Sequence, residues 1–313
     1  MKICVFGTKN STIRLLNYLT KNKINIDTLV VLDPSKSGSI HISGHDSKIT
    51  TKAEDLGINC FLAQTYSLKS DEDKNFFKTK SFDLGLCTSW QRIIPKDVLS
   101  FFRFGVFGWH GSGYEFPNGR GRSPINWSIR LGLDLIFHNC FRYSEGVDDG
   151  DVYETRKLTI KNNDYIDDVQ EKAIEHICDS AIRLISDIRN NKLKLSKQIN
   201  NPFISFPALN EKSGQLYPSH INVSSARNIV RSCSHPFPGA YVTLSENDTK
   251  IRIWRAEIIS NTPDAIQIEK GCLFFSDKEV FVGFFDGVLK LTDYEIELEK
   301  KYKLPKNVNL RCN

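Results

Sequence analysis

The sequence predicts an α/β domain built on a parallel sheet, followed by a small β domain that closes as a barrel. Two textures carry this reading. Up to Arg189, apolar runs alternate with segments of helical period; beyond Phe206, short apolar runs separated by turn dipeptides take over. The size agrees, because 313 residues with 40% hydrophobic and 25% charged side chains suffice for two domains and exclude a disordered, collagen-like or repeat chain.

Ile3 to Phe6 is an apolar run that stops at Gly7, and Ile13, Leu15, Leu16 and Leu19 follow at near-helical spacing, which reads as strand, loop, helix. A strand at Leu29 to Leu32, a helix at Thr51 to Leu56 stopped by Gly57, and strands at Cys60 to Leu62 and Phe82 to Cys87 continue the pattern. Such alternation places a parallel sheet between two helical layers. Gly7 stands alone, with Lys9 and Asn10 where further glycines are needed, so the first turn is no dinucleotide fingerprint and argues against a nicotinamide cofactor.

Pro95 to Phe102 reads as a helix with proline at its first position, and Gly105 to His110 as a strand that runs into a loop rich in Gly, Pro and Arg. Pro124 to Leu131 is helical in pattern, Leu135 to Tyr143 a strand, and Asp164 to Arg189 the longest amphipathic helix. The polar stretch Asn190 to Asn201 has little apolar surface to bury and reads as a linker. Beyond it come a helix at Ser224 to Ser232 and five short strands, at Ala240 to Leu244, Ile251 to Ala256, Ala265 to Ile268, Val280 to Phe284 and Val288 to Leu291. The division expected is 1–190, a linker at 191–205, and a β domain at 206–313.

The net charge of +5 comes from basic and acidic residues interspersed along the chain, and so mild an excess fits an anionic metabolite at least as well as a nucleic acid. No apolar stretch reaches membrane-spanning length, and Met1 leads directly into the first strand, so neither a membrane partner nor a cleaved signal is expected. Eight cysteines are scattered without CxxC or Cys/His spacing, which favours a reduced, cytoplasmic protein with no metal.

Ligands of open parallel sheets bind beyond the carboxyl ends of the strands, and three groups of chemistry-capable residues fall there. They are Thr88-Ser89-Trp90-Gln91-Arg92; Gly108-Trp109-His110-Gly111-Ser112 with the loop Pro117 to Pro124; and the acidic turn Glu145 to Asp151. His110 can act as a general acid or a donor to a developing oxyanion, with Asp148 holding its tautomer or taking a proton from an attacking amine. The other reading of His110 is a ring that satisfies a local carbonyl. For Asp148 to Asp151 it is a solvated turn or a cation site, although no glutamate stands at EF-hand spacing.

Gly105-Val-Phe-Gly-Trp-His110-Gly-Ser, Arg120-Gly-Arg-Ser-Pro-Ile-Asn-Trp127 and Gly146-Val-Asp148-Asp-Gly-Asp151 together resemble the core signature of the folate-dependent formyltransferases. That signature runs Asn-x-His, a Ser, a leucine-proline loop, Arg-Gly-x-x-Pro, then Asp-x-Gly-Asp. Phe82-Asp83 with Ser89 to Pro95 is similar to the stretch that cups the pteridine in that family, and Ser234 to Tyr241 with Lys250 to Trp254 is similar to the start of its C-terminal domain. The resemblance implies a Rossmann-like catalytic domain, an OB-like C-terminal domain and 10-formyltetrahydrofolate as donor. It also implies catalytic roles for His110 and Asp148, and folate contacts from Ser89, Trp90, Arg92, Ile93, Gly146, Val147 and Asp148.

The chain departs from the pattern where the catalytic asparagine belongs, because Gly108 stands there, and the loop between His110 and Arg120 is two residues longer than usual. A backbone N–H near Gly108 or Gly111, a water, or Asn118 is the expected substitute donor. The segments Gly111-Ser112 and Arg120 to Trp127 look closer to the nucleotide-linked aminosugar enzymes of lipopolysaccharide or glycan synthesis than to the tRNA enzyme. In that reading Lys9, Arg92 or Arg122 meets a pyrophosphate, Ser112 lies at the substrate, and Trp90 or Tyr114 stacks on sugar or base. Trp127 reads as core, Trp254 suits either face of a strand, and the C-terminal domain offers a homodimer surface. Two alternatives stay open: a methionyl-tRNA formyltransferase, disfavoured because basic and acidic residues nearly balance beyond Phe206, and an impaired, folate-binding relative.

Overall fold

A computed structural model describes residues 1–32, 48–199, 202–246, 248–259, 267–276, 279–297 and 308–313. In chain order the elements begin with β1 (Ile3–Phe6), α1 (Asn10–Lys21), β2 (Thr28–Leu32), α2 (Ile49–Asp55), β3 (Asn59–Ala63), α3 (Asp71–Lys80), β4 (Leu84–Cys87) and α4 (Lys96–Leu99). Then come β5 (Val106–Ser112), β6 (Arg120–Gly121), α5 (Pro124–Arg130), β7 (Leu135–Arg142), β8 (Val152–Thr159), α6 (Ile166–Arg189) and β9 (Ser205–Phe206). The remainder holds α7 (Val223–Cys233), β10 (Ala240–Thr243), β11 (Lys250–Ile259), β12 (Cys272–Phe275), β13 (Val280–Phe284), β14 (Gly287–Glu297) and β15 (Asn309–Arg311).

Two compact units result. The first is Met1–Gly121, Phe137–Leu158 and Glu171–Ser205; the second is Arg122–Ile136, Thr159–Gln170 and Phe206–Asn313.

The first unit carries a seven-stranded sheet of order β3-β2-β1-β4-β5-β7-β8. From β3 through β5 all pairs are parallel, whereas β7 runs antiparallel to β5, so the sheet is mixed rather than wholly parallel. Both faces are covered, as the uninterrupted apolar strands require. Ile3 and Val5 pack with Leu15, Leu16 and Leu19 of α1 and Ala181, Leu184 and Ile185 of α6. Cys4 and Phe6 point the other way, into Phe77 of α3 and Val98 of α4.

Helix α3 escapes a search for apolar period because its charged residues outnumber its buried ones. Its signals lie at its ends: the Ser70 hydroxyl accepts from Asp73 N at 3.1 Å, acidic residues fill the first turn, and Lys78 and Lys80 close the last. Strand β8 was also absent from the sequence reading. Pro95 is the N-cap of α4 rather than its first residue, and that helix ends at Leu99.

The second unit is a six-stranded antiparallel sheet of order β10-β11-β14-β13-β12-β15. Hydrogen bonds from Ser245 N to Arg311 O (2.9 Å) and Asn313 N to Thr243 O (2.8 Å) join its two edges, which gives the barrel-like closure that the turn-rich texture predicts. Helix α7 covers its apolar interior through Val223, Ala226 and Val230. Of the expected strands, Ala265 to Ile268 lies partly outside the described residues, and its last two residues are not in a strand; β12 and β15 were not foreseen.

The units also divide the chain differently from the expected 1–190, 191–205 and 206–313. Helix α5 joins the second unit because Asn126 Nδ2 donates to Ser232 O at 2.8 Å, and the turn before α6 joins it because buried Arg231 donates to the carbonyls of Lys161 and Asp164. Residues 191–199 are no loose tether. Leu193 and Leu195 pack on the first unit's core, and Ser196 pairs with Val152. No helix among the described residues is long and apolar enough to cross a membrane.

Candidate active site

Strands β1, β4 and β5 are neighbours in the sheet, so the turns after their carboxyl ends lie side by side. Gly7 permits this closeness, since a Cβ there would overlap Thr12 and the Thr88 carbonyl. Ser11 and Ser89 join the two turns through their hydroxyls at 2.6 Å.

His110 projects near the end of β5 and is 8% exposed. Its Nδ1 stands 3.3 Å from Asp148 Oδ2, and its Nε2 lies 2.7 Å from the Gly119 carbonyl. Both neighbours are acceptors, so a neutral ring can satisfy one of them and a protonated ring both. Phe116 lies over the imidazole, with centroids 5.3 Å apart. The ring thus meets a local carbonyl, as one reading of it expects, and it also meets the carboxylate of Asp148.

Asp148 occupies a left-handed turn (φ 52°), a conformation that Asp and Asn tolerate better than most residues. Gln198 fixes that turn by donating to the Asp148 carbonyl at 2.9 Å and the Gly150 carbonyl at 2.8 Å. The Gln198 side-chain oxygen in turn accepts from Arg120 at 2.5 Å. Sequence reading missed Gln198 because it lies 50 residues away in a segment read as linker. Gln198→Ala should lower kcat about ten-fold through misplacement of Asp148, with faster hydrogen exchange at residues 148–151 in mass spectrometry.

The remaining expected site residues scatter. Ser89 sits at φ 64° in the β4 turn. Arg92 is exposed and lies over the Tyr66 ring at 5.2 Å, and Ile93 is exposed beside it. Trp90 is a correction: its indole is buried against Phe6 and Tyr66, so its ring cannot stack on a sugar or base. Gly146 and Val147 form the exposed tip of the acidic turn. Lys9 is the N-cap residue of α1, at the carboxyl end of β1.

Ser112 is fully buried and its hydroxyl accepts from Tyr114 N at 3.2 Å, so it shapes the loop; Tyr114 itself is half-buried. Arg122 is exposed and belongs to the second unit. Asn118 turns its side-chain oxygen to Ile204 N at 3.0 Å, which ties the loop down. Trp127 stacks on Phe206 within the second unit, in keeping with a core role, and Trp254 stacks on His235.

Beside the acidic turn an open cleft of about 530 Å³ is lined by Leu99, Phe102 and Val106, by Tyr143, and by Lys96 and Arg142. Tyr143 follows β7 and was read only as the end of a strand. On the other face of β7, His138 Nδ1 lies 2.7 Å from His176 Nδ1, and His176 reaches Glu154 at 2.9 Å. Burial, then the neighbouring His176 and His110, holds His138 well below the usual imidazole range.

Unfolding raises that pKa to its ordinary value near 6.5, so the unfolded chain binds the extra proton first. Stability should therefore fall as pH drops below about 6.5, by up to about 1.4 kcal/mol per pH unit from this residue. Thermal melts from pH 8 to 5.5 check this, and His138→Gln should flatten the slope.

A mixed α/β sheet that sets a histidine–carboxylate pair beside an open cleft defines an enzyme-like site. Residues 1–180 match the family model described as formyl transferase, and residues 221–311 match the formyl transferase C-terminal domain. The chain belongs to the formyl transferase family, and it is an enzyme of formyl transfer.

Among curated proteins, a methionyl-tRNA formyltransferase of Prochlorococcus marinus (strain MIT 9515) is 27% identical over 286 residues, covering 89% of this chain and 83% of that protein. Among solved structures, HypX from Aquifex aeolicus in complex with tetrahydrofolic acid superposes with a TM-score of 0.65 at 16% identity, over 97% of this chain and 46% of that one. An N-formyltransferase from Helicobacter canadensis, in complex with folinic acid and dTDP-3-aminofucose, gives 0.63 at 15% identity over 94% and 100%. At such identities the structural likeness speaks for the fold.

Proposed function

We propose that this enzyme transfers the formyl group of 10-formyltetrahydrofolate to the amine of a nucleotide-linked amino sugar. The observation that carries the chemistry is the His110–Asp148 pair at 3.3 Å, beside a cleft whose aromatic and aliphatic walls suit a flat pteridine. The Helicobacter canadensis enzyme, with its folate and aminosugar ligands, supports the pairing of donor and acceptor.

The uncharged amine attacks the formyl carbon. Asp148, held by His110, takes the proton that the amine gives up and returns it to N10 of the leaving folate. His110 Nε2 is engaged by Gly119, so in this arrangement His110 orients the carboxylate rather than reaching the formyl oxygen. Lys9 and Arg92, beside the neighbouring ends of β1 and β4, are the cations offered to a pyrophosphate.

A sugar acceptor is favoured over tRNA because four of the described cations of the second unit are ion-paired. Arg252 meets Glu297 and Glu211, Arg255 meets Asp167, Lys290 meets Glu279 and Lys250 meets Glu211, all within 2.9 Å. Phosphate binding by counterion release needs such groups unpaired. The test incubates the enzyme with 10-formyltetrahydrofolate and either a panel of nucleotide-linked amino sugars or charged initiator tRNA. Sugar-dependent formation of tetrahydrofolate is expected; tRNA formylation that falls steeply with salt, without sugar turnover, would reverse the choice.

A further inference from the structure

We propose that the Tyr143 hydroxyl is the hydrogen-bond donor to the formyl oxygen that the missing side chain at position 108 does not provide. The inference rests on the formyl transfer proposed above and deepens it. Gly108 and His110 are two apart on β5 and so project to the same face of the sheet. A Cβ built on Gly108 would overlap the Tyr143 phenol, 2.5 Å from Cζ and closer still to Cε1 and the hydroxyl oxygen. The phenol therefore fills the space into which a side chain from position 108 would start.

Its placement follows from register. Gly108 pairs with Phe141 across the β5–β7 ladder, and Tyr143, two residues further along, shares the face of Phe141 with ring centroids 5.3 Å apart. Tyr143 also lines the open cleft and is half-buried as a residue.

Nearby side chains are held in other contacts: His110 Nε2 meets Gly119 O, the Asn139 amide donates to Phe137 O at 3.2 Å, and Asn118 is tied to the neighbouring segment by accepting from Ile204 N with its side-chain oxygen. Gly108 is paired on both sides within the sheet, with Cys87 and Phe141, so its backbone belongs to the ladder. The Tyr143 hydroxyl, by contrast, meets the Cys87 thiol, a weak partner that a developing oxyanion displaces. Burial, then Cys87, keeps the phenol well above its usual range, so it remains an O–H donor.

The chemistry balances without a proton from Tyr143. As the amine's carbon–nitrogen bond forms, the carbonyl pair moves to oxygen, which accepts the Tyr143 hydrogen bond. When that pair re-forms the carbonyl, the bond to N10 breaks, and N10 takes the proton the amine had passed to Asp148.

The test uses the full chain and 10-formyltetrahydrofolate carrying carbon-13 in its formyl group. Difference infrared spectra should show the bound carbonyl stretch lowered in the wild type and moved back up in Tyr143→Phe, a readout that requires no acceptor. Tyr143→Phe should bind 10-formyltetrahydrofolate within about two-fold of wild type, with kcat reduced about 10²- to 10³-fold.

Gly108→Asn alone should distort the cleft, whereas Gly108→Asn with Tyr143→Ala, which makes room for the amide, should restore the lowered stretch. Unchanged frequency and kcat in Tyr143→Phe, or full activity in Gly108→Asn alone, would overturn the assignment. A wild type that binds no 10-formyltetrahydrofolate would overturn the folate reading itself, and the two failures are thereby distinguished.

Discussion

His110→Ala is expected to lower kcat about 10²-fold through misplacement of Asp148, the group that carries the proton, while 10-formyltetrahydrofolate still binds. The alanine removes the ring between Gly119 and Asp148, so the carboxylate loses its partner at 3.3 Å and Phe116 loses the surface it lies on. Steady-state release of tetrahydrofolate with the sugar acceptor measures it. Binding by titration calorimetry should change little, because the cleft lies along α4 and β5 rather than on the imidazole. Turnover within three-fold of wild type would remove His110 from the mechanism.

Asp148→Asn should be more damaging, for a different reason. Asparagine accepts the left-handed backbone at φ 52° and can still receive Gly121 N, so the fold is expected to survive. What disappears is the base: the amide cannot take the amine's proton. A kcat loss of about 10³-fold or more, with a melting temperature within a few degrees of wild type, is the expected pair of results. A large drop in melting temperature would instead assign Asp148 a structural part.

The fold was legible where hydrophobic period is strong, as at β1, α1, β2 and α7, and it failed where period is weak. In α3 the stabilising information lies in Ser70 and the end charges, and in β15 three residues are held by pairing with β12 and by the bond from Ser245 N to Arg311 O, both distant in sequence. Of the candidate site, the meeting of His110 with Asp148 was legible because the strand end and the acidic turn bracket them.

Tyr143, Phe116 and Gln198 were not legible, because their parts depend on cross-strand register or on contacts across many residues of chain. The glycine at position 108 reads in sequence as a loss. In three dimensions it reads as a space already taken, and no pattern along the chain distinguishes those two.

The strap formed by Gln198 bears on how such proteins recombine. A module cut where the long helix ends would leave the Asp148 turn unsupported, since its clamp lies beyond that point. A chimera that exchanges the barrel should therefore keep Glu171–Ser205 with its original sheet. Substitution of Gln198 should therefore alter turnover through the Asp148 turn without changing either residue of the His110–Asp148 pair.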